Sequence, residues 1–174
     1  MSRRRVGGVL VIIGPLLAIA ATLAFPMAWV VSNWLWIVSG IVMAAGLLVV
    51  SLSDRSLLSI AGAGVLAVGV GFWVAYAYQR SLDPGFSAEG LWMEGVFAWL
   101  SAVGLALMGV GFLRSGFAKW VAYVNVGYAL LFVVAFILVG SALYDSFPPQ
   151  IVYVVSLATG IVALKGAGQR RDVA

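Results

Sequence analysis

The 174-residue chain contains no cysteine and no histidine. Without cysteine it can form no disulfide and offers no thiolate nucleophile, and without either residue a zinc-finger-type site is excluded. Lack of histidine removes His-ligated haem and His-based acid–base chemistry. The redox compartment stays open, because cysteine usage is the signal that reports it. Charge is scarce too: 9% of residues are Asp, Glu, Lys or Arg, while 64% are apolar. Soluble domains average roughly 25% and 45–50%. One soluble core cannot hold so much apolar surface, so lipid must solvate a large part of it.

What the chain has instead is six long apolar runs: residues 6–24, 34–52, 57–78, 91–113, 121–143 and 151–164. Spanning a hydrocarbon core of roughly 30 Å takes about 20 helical residues. Six runs plus short loops use nearly all positions and leave no room for a soluble domain. Backbone polar groups in lipid must be satisfied internally, which requires helices or a closed barrel. Barrel strands alternate polar with apolar, and these runs are apolar on every face. The expected fold class is therefore all-α: a polytopic transmembrane helical bundle of six spans, forming a single domain over residues 1–174.

Charge placement gives the orientation. With both termini in the cytoplasm, Arg3, Arg4, Arg5, Arg55, Arg114, Lys119, Lys165, Arg170 and Arg171 lie inside, and only Arg80 lies outside. Cytoplasmic loops retain Lys and Arg. The basic pI near 9.8 does not imply nucleic acid, because the cations are scattered over inner helix ends, where they suit an anionic leaflet. Arg3–Arg5 before an apolar run also resembles a signal peptide with Thr22 and Ala24 flanking a cut. A run of about 19 residues exceeds the usual 7–15 of such a segment, so a retained first span is preferred.

Local signals refine the spans. Gly14-Pro15 lies near the middle of the first, where proline removes a hydrogen bond and tends to kink a helix. Phe25–Asn33 reads as an outer interfacial stretch, with Ser32 or Asn33 capping the second span. Ser51–Ser53 reads as a tight turn, with Ser53 or Asp54 capping the third. Asp83-Pro84-Gly85 is a turn signal, and a helix start follows near Ala88. Gly116 suits the end of span four, and Pro148-Pro149 the start of span six. Trp29, Trp34, Trp36, Trp73, Tyr76, Tyr78, Trp92, Tyr144 and Tyr153 fall toward the outer side, and Trp120 and Tyr123 toward the inner, as interface anchors do.

Helix packing is expected along Ser59, Ala63, Ala67, Gly71 and Ala75, small residues at every fourth position that let backbones approach. Gly95, Ala98, Ala102, Ala106 and Gly109 form a looser counterpart in span four. Chemistry has few candidates. An ionisable residue inside the bilayer is the usual functional marker, and the central parts of all six spans have none. Glu94 is the nearest, about 100° from Gly95 at 3.6 residues per turn, hence on the flank of the packed face, in contact with headgroups or paired with Arg80. Asn125 is the most polar side chain in the body of a span, and an interhelical hydrogen bond accounts for it, with Tyr128 on a neighbouring face. Ser156, Thr159 and Gly160 read as packing residues. No catalytic group, metal set or cofactor is expected.

The stretch Gly109-Val110-Gly111-Phe112-Leu113-Arg114-Ser115-Gly116-Phe117-Ala118-Lys119-Trp120, a Gly-rich helix end, a basic turn and an aromatic restart, together with Gly14-Pro15, resembles small six-span bacterial integral membrane proteins in domain-of-unknown-function families. The likeness is firmest over spans four to six. It implies a bacterial inner-membrane protein and transfers no activity. The expected role is a non-enzymatic membrane component whose partners are the lipid bilayer, other membrane proteins or a second copy. The alternative is a passive or weakly coupled carrier of a small neutral or apolar solute.

Overall fold

The computed structural model describes residues 2–26, 28–83, 90–140 and 150–165. All regular structure in them is helical: α1 Arg3–Ala24, α2 Trp29–Asp54, α3 Leu57–Leu82, α4 Leu91–Ser115, α5 Lys119–Val139 and α6 Gln150–Lys165. The first five are long and apolar enough to cross a membrane. The 16 residues of α6 span only about 24 Å at 1.5 Å per residue, short of a full hydrocarbon thickness. The helix start expected near Ala88 and Pro148-Pro149 fall outside the described residues.

Several boundaries differ from those read in sequence. α2 begins at Trp29, ahead of Trp34, and Ser32 and Asn33 are buried within it instead of capping it. The reason is tertiary: the Ser32 hydroxyl donates to the Ala21 carbonyl across the α1–α2 contact at 2.8 Å, so helix continues where an interfacial loop was expected. α2 also runs through Ser51–Ser53. The turn falls at Arg55, in the left-handed conformation with φ 61°, and Ser56, not Ser53 or Asp54, caps α3. Ser53 bonds back to the Val49 carbonyl at 2.8 Å. Pro15 lies inside a continuous α1 with its ring buried. Gly116, with φ 78°, ends α4.

The helices close a ring in chain order. α1 packs most extensively on α2 and α3 on α4; α2–α3 and α4–α5 contacts link the pairs, and α6 returns against α1 while also touching α2 and α5. Close approach depends on glycine. A Cβ on Gly46 of α2 would sit 2.6 Å from the Val11 nitrogen of α1, and one on Gly8 of α1 would sit 3.0 Å from the Gly160 carbonyl of α6. Large apolar side chains fill the middle: Met43, Leu47, Leu66, Leu105, Met108 and Phe112 are all fully buried.

The stripe expected on α3 needs correction. Ser59 and Ala63 are buried and Ala67 half-buried, but Gly71 and Ala75 are exposed, and Gly71 has nothing within 4 Å of a notional Cβ. A spacing of four advances about 40° per step on a helix with 3.6 residues per turn, so five such residues sweep about 160° and cannot share one flat interface. The contact with α4 follows a spacing of seven instead, which drifts only about 20° per repeat. Gly62 and Gly69 face Gly104 and Leu100, and Gly111 meets Ser59. The Gly95–Gly109 row of α4 ends toward α5, where Gly109 lies against Ala122, Asn125 and Val126.

Candidate functional site

Polar side chains stand at the end of the bundle beside Arg80, expected to be the outer one, at the opposite end beside Arg4 and Asp54, expected to be the inner one, and in the interior, on α2 as well as on α4, α5 and α6. At the outer end the α1–α2 turn is fastened to α3. The Trp29 indole donates to the Arg80 carbonyl at 3.1 Å, and the Arg80 guanidinium lies 4.3 Å from the Trp29 ring centroid, with Phe25 and Tyr76 rings at 5.8 Å. A cation over an aromatic face is attracted by the ring quadrupole. The Tyr76 hydroxyl is hydrogen-bonded with both Arg80 and Glu94, which joins α3 to α4.

Glu94 therefore does not sit on the flank of α4. It is half-buried and lies seven residues before Ser101, which puts the two only about 20° apart on the helix. Ser101, Leu105, Met108 and Phe112 continue that line and are all buried. Sequence spacing alone makes Gly95, Ala98 and Ala102 the packed face. That row turns toward α5, whereas the bundle interior lies on the Glu94 side.

Below Tyr76 an aromatic column runs inward. Trp73 contacts Tyr76 with centroids 5.7 Å apart and Phe97 at 5.6 Å, Trp36 meets Trp73 at 5.8 Å, and Tyr153 meets Trp36 at 5.6 Å. The outer aromatics thus split: Trp34, Tyr78 and Trp92 are exposed, as interface anchors are, while Trp36, Trp73, Tyr76 and Tyr153 are buried core. Tyr144 lies outside the described residues. On the inner side Trp120 and Tyr123 are exposed. Tyr153 Oη lies beside the Ser39 hydroxyl and the Trp73 indole, yet neither Oη nor Trp73 Nε1 closes an aligned hydrogen bond. Ser39 donates its proton to the Gly14 carbonyl of α1, at 2.8 Å.

The inner end holds a cluster that sequence reasoning missed. Asp54 Oδ1 accepts from the Ser115 hydroxyl at 2.8 Å and Oδ2 from Ser59 at 3.4 Å, tying α2 to α3 and α4. Arg4 stacks over Phe117, 4.6 Å from the centroid. One signal was available: Asp54 is the only acid that precedes Asp83, and it stands amid inner-side cations. Sequence offers it only a local capping role, because nothing in its spacing pairs it with so distant a serine.

In the interior, Asn125 is fully buried at the centre of the packed face of α5. The expected interhelical hydrogen bond is not made: neither Asn125 Nδ2 nor Oδ1 has a partner among the described residues. Its Cβ packs 3.2 Å from where a Gly109 Cβ would stand, so an apolar contact holds the helix pair instead. Tyr128 is buried one turn on. Ser101, Ser156 and Thr159 are likewise fully buried, and their hydroxyls have no partner among the described residues. Among the described residues no group of three or more acidic side chains is placed to hold a metal ion. Comparison with protein-family models, with curated proteins and with solved structures finds no match.

Proposed function

We infer that this chain is a multi-pass protein of a bacterial plasma membrane, with six spans and both termini in the cytoplasm, and that it acts as a non-enzymatic component binding lipids or other membrane proteins. The observation that carries this reading is the filled middle of the bundle: Met43, Leu47, Leu66, Leu105, Met108 and Phe112 are fully buried there. Function is then exercised on the outer surface, where Leu16, Ile19, Leu57, Leu131, Ile137 and Leu138 are all more than half exposed. Such a belt suits acyl chains or apolar helices, since association in lipid rests on packing and interhelical hydrogen bonds. The orientation rests on the nine-to-one partition of Lys and Arg.

Native mass spectrometry of the protein extracted with its lipids is the direct test. Retention of a stoichiometric lipid or protein partner is the expected result; a bare monomer under every mild extraction counts against the reading. A second reading, a carrier of a small neutral solute, is favoured by one observation: buried polar groups inside the bundle that have no partner among the described residues.

A further inference from the structure

We propose that Asn125, Ser156 and Thr159 form a binding site for a small uncharged molecule carrying both hydrogen-bond donors and acceptors, of the size of glycerol or urea. The proposal rests on the carrier reading and names its site.

Placement follows from helix geometry. Asn125 is six residues from the Lys119 end of α5, and Thr159 six residues from the Lys165 end of α6. Both therefore sit about 9 Å in from the same side at 1.5 Å per residue. Ser156 is one turn further. Gly160 faces α1, where a Cβ would meet the Gly8 carbonyl, Val11 and Ile12 at 3.1 Å. Thr159 is about 100° around from Gly160 and still fully buried. It must then face the other neighbours of α6, which are α2 and α5. α5 and α6 meet far less closely than α1 and α2 do, so the polar groups lie where the ring is loosest.

The chemistry of the ligand follows from the lining. The two ends of an amide leave a donor and an acceptor unmet among the described residues, and two hydroxyls add donors and acceptors of their own. Leaving such groups buried without partners is costly. No carboxylate or cation stands at these positions, which selects against an ion. The charged and hydrogen-bonded groups belong to the ends: Arg80, Tyr76 and Glu94 stand at one, and Arg4, Asp54 and Ser115 at the other. A neutral polar lining between two charged ends suits a small neutral solute.

The full chain, purified and reconstituted, tests this with glycerol and urea as probes. Binding is read by saturation-transfer NMR, and flux by stopped-flow swelling of proteoliposomes. The expected result is binding of at least one probe, weakened about tenfold, as for one lost hydrogen bond, in Asn125→Leu and in the near-isosteric Thr159→Val. Thr159→Val guards against misfolding of the larger change, and each variant's melting temperature is measured alongside. If neither probe binds the native protein, or if binding is unchanged in both folded variants, the site is wrong. Binding without flux above protein-free vesicles keeps the site and removes the carrier reading. Flux that both variants leave intact does the reverse.

Discussion

Gly62 of α3 and Gly104 of α4 stand backbone to backbone: a Cβ on Gly62 would lie 2.5 Å from the Gly104 carbonyl, and one on Gly104 would lie 2.7 Å from the Gly62 carbonyl. Neither helix can give way without separating the pair. Gly62→Leu is therefore expected to destabilise the protein by at least the roughly 1–3 kcal/mol typical of overpacking. Gly71→Leu, on the exposed side of the same helix, is expected to change stability by less than about 0.5 kcal/mol, as surface substitutions do. Thermal unfolding in detergent compares the two. Equal losses would mean that α3 also packs on another helix through Gly71.

Orientation is checked with single cysteines in a chain that has none of its own. Ser87→Cys is expected to react with an impermeant thiol reagent in intact cells, and Ser2→Cys to react only after the membrane is opened. The opposite pattern would invert the topology drawn from the cations.

Asp54 and Ser115 join the carboxy ends of α2 and α4 through a hydrogen bond of 2.8 Å. Ser115→Ala removes a donor to a charged acceptor, and such bonds contribute about 1.5–3 kcal/mol, less where water competes. A loss of about 1 kcal/mol is expected, with the Asp54→Asn, Ser115→Ala double mutant losing less than the two singles combined. Strict additivity would show that the two side chains do not act on each other.

Glu94 is held by Tyr76 beside Arg80. Glu94→Gln keeps an oxygen that can accept the Tyr76 proton and gives up the charge, so a loss of no more than about 1 kcal/mol is expected. Glu94→Leu leaves the Tyr76 and Arg80 groups short of a partner, at a cost of about 1–3 kcal/mol. The melting temperatures of both variants decide. A Gln variant that falls as far as the Leu variant would make the charge, not the hydrogen bond, the holding element of the outer cluster.

Much of the architecture was legible in the residues themselves. Lipid solvation and backbone hydrogen bonding are local requirements, so 64% apolar content in long runs already implied helices near the five long ones now seen. Gly116 as a helix end needed only its own φ. Which face of each helix turns inward was not legible, because every face is apolar and the polar–apolar contrast that orients a helix in water is missing. The row Ser59–Ala75 stands out by composition alone, and a drift of about 40° per step of four carries Gly71 and Ala75 out of the contact. Only the approach of α4, with Gly104 against Gly62 and Leu100 against Gly69, selects those two glycines. Spacing alone puts Glu94 on the flank for the same reason, whereas in the fold it stands on the inward line of α4 beside Tyr76 of another helix. Asp54 and Ser115, far apart in the chain, meet because the ring of helices returns them to one end. Pairings of that kind depend on how helices cross, and crossing is decided by the fit of many side chains at once, which no single stretch of sequence contains.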